Sequence, residues 1–84
     1  MRNLYTAKIL IVEDEIAIST MLKTILTKEG FSNIDTVFNS KDALANCERN
    51  VYNLILLDVM LPDRSGFEIC PLIRQLTDAP IFFL

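Results

Sequence analysis

The sequence predicts an α/β domain built on a parallel sheet, and three observations carry that expectation. Three apolar runs of strand length, Ile9–Val12, Leu54–Leu57 and Ile81–Leu84, recur along 84 residues. The stretches between them repeat apolar residues at helical spacing, as crossovers between parallel strands do. Two of the runs end directly in acidic residues, Glu13-Asp14-Glu15 and Asp58. In an open parallel sheet the carboxyl ends of the strands are where ligands bind.

The elements follow in order. Lys8-Ile9-Leu10-Ile11-Val12 is apolar without alternation, which suits a strand buried on both faces. From about Glu15, Ile18, Met21, Leu22, Ile25 and Leu26 fall on one helical stripe. Acids stand at the start of this helix, and Lys28 then Gly30 at its end, which suits the helix dipole and a C-terminal cap. Ile34–Phe38 mixes Asp35 and Thr36 among its apolar residues and reads as an edge strand. Ser40 is the expected N-cap of a second helix, with a narrow stripe of Ala43, Leu44 and Cys47 and a stop at Asn50. Tyr52–Leu57 is the next buried strand, ending at Asp58.

Ser65-Gly66-Phe67-Glu68 then forms a capping-box pattern that opens a third helix. Its apolar positions are Ile69, Cys70, Leu72, Ile73 and Leu76, and Pro71 inside it predicts a kink. Pro80 leads into a fourth strand, Ile81–Leu84. The expected order is β-α-β-α-β-α-β, a parallel sheet with helical crossovers.

Composition narrows the chemistry. Hydrophobic residues make up 51% of the chain and charged residues 23%, with a mean hydropathy of +0.34. A chain of this size buries only about two thirds of its unfolded surface, so apolar residues are expected to remain on the outside. Apolar runs of four residues fall far short of the roughly 18 that span a bilayer, and none resembles the h-region of a signal peptide. A cytoplasmic protein that does not enter a membrane is expected. The net charge of −3 argues against direct nucleic-acid binding, which calls for a basic surface. With no histidine and only Cys47 and Cys70, a zinc site of the usual ligands and any histidine general base are excluded. Both cysteines read as small buried hydrophobes.

Glu13, Asp14 and Asp58 are the candidate site. Three carboxylates gathered at one end of two strands are costly unless a cation joins them. Oxygen donors without histidine or cysteine select a hard ion such as Mg²⁺. Asp14 taken singly reads better as a solvated helix-capping residue; it is the arrangement, an acidic pair after the first strand and a lone Asp after the third, that points to a site.

The pattern as a whole resembles a known family. Ile9-Leu10-Ile11-Val12-Glu13-Asp14-Glu15, then Leu54-Ile55-Leu56-Leu57-Asp58-Val59-Met60-Leu61-Pro62-Asp63, then Gly66-Phe67-Glu68-Ile69-Cys70 resemble, in order and spacing, the receiver domain of two-component response regulators. The resemblance runs from about Lys8 to Leu84. It implies a flavodoxin-like doubly wound sheet. It implies that Asp58 accepts a phosphoryl group from a sensor histidine kinase, so that the chain is a switch and not an enzyme. It also implies that Asp14, Asp58 and the backbone carbonyl of Met60 ligate Mg²⁺, with Glu13 acting mainly through a metal-bound water. Leu61, Pro62 and Gly66 are expected to scaffold the loop after Asp58. The Asp58 segment looks most like receivers that carry a winged-helix DNA-binding output, and these 84 residues contain no such domain.

The family fold has five strands and five helices in sheet order 2-1-3-4-5. The expected domain, residues 1–84, is therefore a receiver truncated after its fourth strand, short of a helix-strand-helix of roughly 40 residues. The missing part carries the hydroxyl and lysine that contact the phosphoryl group in the family, so impaired phosphotransfer is expected. The uncharged fourth strand forms an open edge that predicts a homo-oligomer, through edge pairing or exchange of a terminal element. The alternative is a receiver-derived self-association module without phosphotransfer. A haloacid-dehalogenase-type phosphatase is excluded, because it needs a second Asp two residues after the nucleophile and Met60 stands there.

Overall fold

The computed structural model of the chain describes residues 6–84. Its elements are β1 (Lys8–Val12), α1 (Ile16–Lys28), β2 (Asn33–Val37), α2 (Ser40–Arg49), β3 (Leu54–Leu57), α3 (Gly66–Leu76) and β4 (Ile81–Phe83). The four strands are parallel in the order β2-β1-β3-β4. The expected alternation and the edge position of β2 are therefore present, with β4 at the other edge. No helix among the described residues is long and apolar enough to cross a membrane.

The pleat sorts the central strands into two faces. Leu10 and Val12 of β1 and Ile55 and Leu57 of β3 join Val37, Ala43, Cys47, Ile69 and Ile73 in one core under α2 and α3. Burying side chains of this size contributes about 1.5–3 kcal/mol each, so this face carries most of the stability. Cys47 belongs to that core and Cys70 packs against it, both as free thiols. Ile9 and Ile11 point the other way and are also buried. On that side Leu54 and Leu56 are only half-buried.

Local chemistry explains the boundaries and corrects several of them. The α1 helix ends as Lys28 and Gly30 predict. Phe31 N–H donates to the Leu26 carbonyl (3.1 Å) and Gly30 N–H to the Thr27 carbonyl (3.0 Å), with Gly30 at φ 108°. That is a Schellman termination, which needs the left-handed conformation that glycine adopts freely. Only part of the predicted α1 stripe is covered: Ile18, Leu22 and Leu26 are half-buried, whereas Met21 and Ile25 face outward.

The N-cap of α2 is Asn39 and not Ser40. The Asn39 side chain accepts from Asp42 N–H (2.8 Å), and Ser40 is the first helical residue, buried. Strand β2 ends at Val37 and leaves Phe38 exposed, and β3 starts at Leu54, so buried Tyr52 packs from the preceding loop. Ser65 does cap α3, accepting from Phe67 N–H (3.1 Å). The return arm of the expected box is turned away: the Glu68 carboxylate lies 3.7 Å from Arg64 Nε. α3 continues past Pro71 as one element. Pro71 is on the solvent side, where the carbonyl it leaves without a donor can be hydrated.

Candidate functional site

The register of the sheet builds the site. Val12 lies opposite Leu57, so one step further the ladder sets Glu13 beside Asp58. Both residues are still held by the sheet. Asp58 N–H donates to the Val12 carbonyl (2.9 Å) and Glu13 N–H to the Val37 carbonyl (3.1 Å). Asp14 follows in the turn into α1. The result is that Glu13, Asp14 and Asp58 bring carboxylate oxygens within 4.8 Å of one another.

The three acids are not equivalent. Glu13 is buried, with 4% of its surface exposed, whereas Asp58 is half-buried. Burial, reinforced by a hydrogen bond that the protonated Glu13 carboxyl donates to Asp58 and by the charge of Asp58, pushes the Glu13 carboxyl up to about 7. Opposing this, Glu15 N–H donates to Glu13 Oε2 at 3.3 Å. Among the described residues the ion pair is Arg64 with Glu68, so no basic side chain neutralises the cluster. Lys8, the first residue of β1, is committed to the opposite end of the sheet, where Nζ donates to Asn50 Oδ1 (2.6 Å) and lies 5.5 Å from the centre of the Tyr52 ring. An all-oxygen, electron-rich, uncompensated cluster fits a hard divalent ion such as Mg²⁺.

The loop after β3 is fixed at several points. Met60 N–H donates to Asp58 Oδ1 (3.1 Å), which sets the rotation of that carboxylate. The Met60 side chain is 81% exposed, so what this residue offers the site is its backbone. Leu61 is buried in the core. Gly66 N–H donates to the Val59 carbonyl (2.8 Å). A Cβ added at Gly66 would stand 2.3 Å from the Asp58 carbonyl oxygen and 3.0 Å from Val59 Cα. Glycine is required there by close approach of two backbones, so the scaffolding read from Leu61 and Gly66 has a specific form: it presses the start of α3 against Asp58.

Sequence reasoning assigned no role to Asp63. Its Oδ1 accepts from Ser40 N–H (2.9 Å) and Arg64 N–H (3.0 Å), and its Oδ2 accepts from Lys41 N–H (3.1 Å). These bonds, the one from Ser40 N–H foremost, hold its carboxyl far below the usual carboxylate range. The partners are 22 and 23 residues away in the chain, so no local pattern could have shown the link.

Comparison with known proteins agrees with this geometry. The family described as response regulator receiver domain matches residues 9–84. The chain is 51% identical over 78 residues to the transcriptional regulatory protein YvrH of Bacillus subtilis (strain 168), covering 93% of this chain and 33% of that protein. It thus spans about a third of the length of the curated relatives it matches. Among solved structures, a two-component response regulator from Clostridium difficile superposes with a TM-score of 0.88 at 33% identity, over 93% of this chain and 64% of that one. MaeR response regulator bound to beryllium trifluoride gives 0.86 at 27% identity, over 94% and 66%.

Proposed function

The chain belongs to the response regulator receiver domain family of two-component signalling, and from that premise we propose that Asp58 accepts a phosphoryl group from a sensor histidine kinase in a Mg²⁺-dependent reaction. The observation that carries the proposal is the gathering of Glu13, Asp14 and Asp58 at the carboxyl ends of β1 and β3, with no ion pair to balance them among the described residues. The solved neighbour MaeR is described as bound to beryllium trifluoride, a mimic of a phosphoryl group, which supports the same class of ligand here.

The chemistry asks little of the protein beyond positioning and charge control. A carboxylate oxygen of Asp58 attacks phosphorus while the phosphorus–nitrogen bond of the donor phosphohistidine breaks. The imidazole nitrogen leaves with the bonding electron pair, and the product is an acyl phosphate. The Met60 N–H holds the Asp58 carboxylate in one rotation throughout. Asp14, Asp58 and the Met60 carbonyl would hold Mg²⁺, with Glu13 behind them through water; when bound, the ion neutralises charge on the phosphoryl oxygens. The chain in this reading is a phosphorylated switch in the cytoplasm and not an enzyme. With a net charge of −3, these residues are proposed to bind neither membrane nor nucleic acid. A transcriptional output like that in the name of the B. subtilis relative would be supplied by a further domain.

Two finer proposals follow. None of the described lysines is recorded at the carboxylates, so the 84 residues alone are proposed to label slowly, by on the order of 10²–10³ for a missing preorganised contact. The outer edge of β4 is unpaired among the described residues, and Phe82 beside it is 60% exposed. An uncharged open edge recruits strands, which supports self-association through β4 or by exchange of a terminal element. Light scattering after size exclusion tests this, and a monodisperse monomer at ~100 μM, a concentration at which a small domain can still be judged by its cooperative unfolding, refutes it.

The central test is labelling by a cognate kinase or a small phosphodonor with and without Mg²⁺. A base-labile acyl phosphate that maps to Asp58, needs the metal and vanishes in Asp58→Ala is expected. Equal labelling of Asp58→Ala would refute the assignment.

A further inference from the structure

Asp63 is a fourth acid in the loop cluster at the carboxyl end of the sheet, yet it stands outside the carboxylate group of Glu13, Asp14 and Asp58. Its lone pairs are already taken by three backbone N–H groups, from Ser40, Lys41 and Arg64. A carboxylate so occupied is poorly suited to ligate a metal. The bonds have another consequence. The first turn of any helix leaves N–H donors without intrahelical partners. In α2 these are Ser40, Lys41 and Asp42; Asn39 satisfies the third, and Asp63 satisfies the first two from a different loop. The same loop carries Asp58 and Met60, whose geometry the proposed reaction uses.

We infer that Asp63 is a positioning residue that tethers the Asp58–Gly66 loop to the N-terminus of α2 and so holds Asp58 and the Met60 backbone in place. The inference rests on the phosphoacceptor reading only for its effect on metal and phosphoryl transfer. The tether itself is a property of the metal-free fold. Leu61 anchors the loop to the core, and Gly66 anchors its far end to Asp58 and Val59. Asp63 secures the span between them, where Pro62 is exposed and Arg64 contributes only a solvent-exposed ion pair with Glu68. Its charge also faces the positive end of α2, where a carboxylate is favoured.

The test uses the intact protein in three variants. Asp63→Ala removes both acceptor oxygens and the three bonds they accept, and Asp63→Asn keeps one acceptor oxygen. Ser40→Pro deletes the backbone N–H and the hydroxyl of Ser40, both of which bond Asp63, from the other side. Proline is tolerated at the first helical position, and Asn39 before it is already extended at φ −155°, ψ 168°, as a residue preceding proline prefers. Amide exchange by NMR in metal-free protein is the first readout. In Asp63→Ala the Met60 and Gly66 amides are expected to exchange several-fold faster, while amides of β1 keep their protection. Mg²⁺ or Mn²⁺ affinity by calorimetry is the second, expected to fall about tenfold, the low end for groups that orient metal ligands. Asparagine should retain part of both, and adding Ser40→Pro to Asp63→Ala should cost little more than Asp63→Ala alone.

Faster exchange confined to Ser40 and Lys41, with Met60 and metal affinity unchanged, would show a plain helix cap and overturn the inference. So would strictly additive effects of the two substitutions. If the unsubstituted protein and Asp58→Ala bind metal equally, the phosphoacceptor reading fails, and the exchange data still decide the role of Asp63.

Discussion

The two ends of the sheet both carry polar side chains and treat them in opposite ways. At the amino end the side chains of Lys8, Asn46, Asn50, Tyr52 and Asn53 all have partners. Tyr52 hydroxyl donates to Asp35 Oδ2 at 2.6 Å, Asn46 Nδ2 donates to the Tyr52 hydroxyl at 3.3 Å, and Asn53 Oδ1 accepts from Lys8 N–H at 2.8 Å. Lys8 binds Asn50 and covers the Tyr52 ring. At the carboxyl end three acids converge with no ion pair to a basic side chain among the described residues. Buried side-chain polar groups have hydrogen-bond partners at both ends among the described residues, so what sets the carboxyl end apart is unbalanced charge. The Tyr52 proton illustrates the contrast: burial, with the acceptor Asp35 beside it, drives its pKa above the usual phenol range. The hydroxyl therefore stays a neutral donor, whereas Glu13 titrates near neutrality.

The largest effect expected is from Asp58→Ala. It abolishes labelling, since no other carboxylate in the site is held by the Met60 N–H, and phosphate incorporation measures it. The fold should survive, because a half-buried acid that repels its neighbours is removed. Loss of cooperative unfolding in this variant would break the comparison, by showing that the carboxyl end is structural after all.

Gly66→Ala should disturb both site and stability. Its Cβ meets backbone that cannot yield without moving Asp58, and overpacking of this kind costs about 1–3 kcal/mol. Urea unfolding reads the loss, and labelling rate at saturating Mg²⁺ reads the displaced Asp58.

Glu13→Gln separates the two ends by pH. The Glu13 carboxyl is raised from an ordinary 4.5 to about 7 in the folded chain, so the native state holds its proton more tightly than the unfolded state. Stability of the metal-free protein should therefore fall as pH rises from about 4.5 to 7 and level off above, by on the order of 3 kcal/mol. Glutamine removes that slope and leaves the metal-free protein more stable at pH 8, while weakening Mg²⁺ binding. Urea midpoints across pH 5–8 check both signs, and a slope retained in the variant would assign the titration elsewhere.

The smallest effect belongs to the satisfied end. Tyr52→Phe keeps the packing of a buried ring but leaves Asp35 without its donor, at a cost of about 1–2 kcal/mol. Metal affinity and labelling should be unaltered. A change in either would mean that the two ends are coupled and sharpen the comparison into a question about transmission through β1 and β3.

Much of this was legible from residues alone, because it depends on period and punctuation. Apolar runs that end in acids placed β1 and β3, the 3.6-residue spacing placed the helices, and Gly30 marked the end of α1. The acidic cluster was legible for the same reason: parallel strands of equal role put their carboxyl ends together, so Glu13, Asp14 and Asp58 had to meet if β1 and β3 were neighbours. What the sequence could not carry is whatever depends on distance across the fold. Ser40 reads as a better cap than Asn39 only until the fold buries it. Met21 and Ile25 read as core because period says which residues share a face, not whether another element covers it. Gly66 reads as a loop residue until its Cα is seen against the Asp58 carbonyl. Asp63 has no local signature at all, since its partners on α2 are chosen by how two loops come together at one end of the sheet. Local composition determined the order and type of the elements, because hydrophobic periodicity and capping act within a few residues. Tertiary structure alone decided which acids are strained and which are satisfied, because burial and electrostatic balance are set by neighbours that the chain brings in from far away.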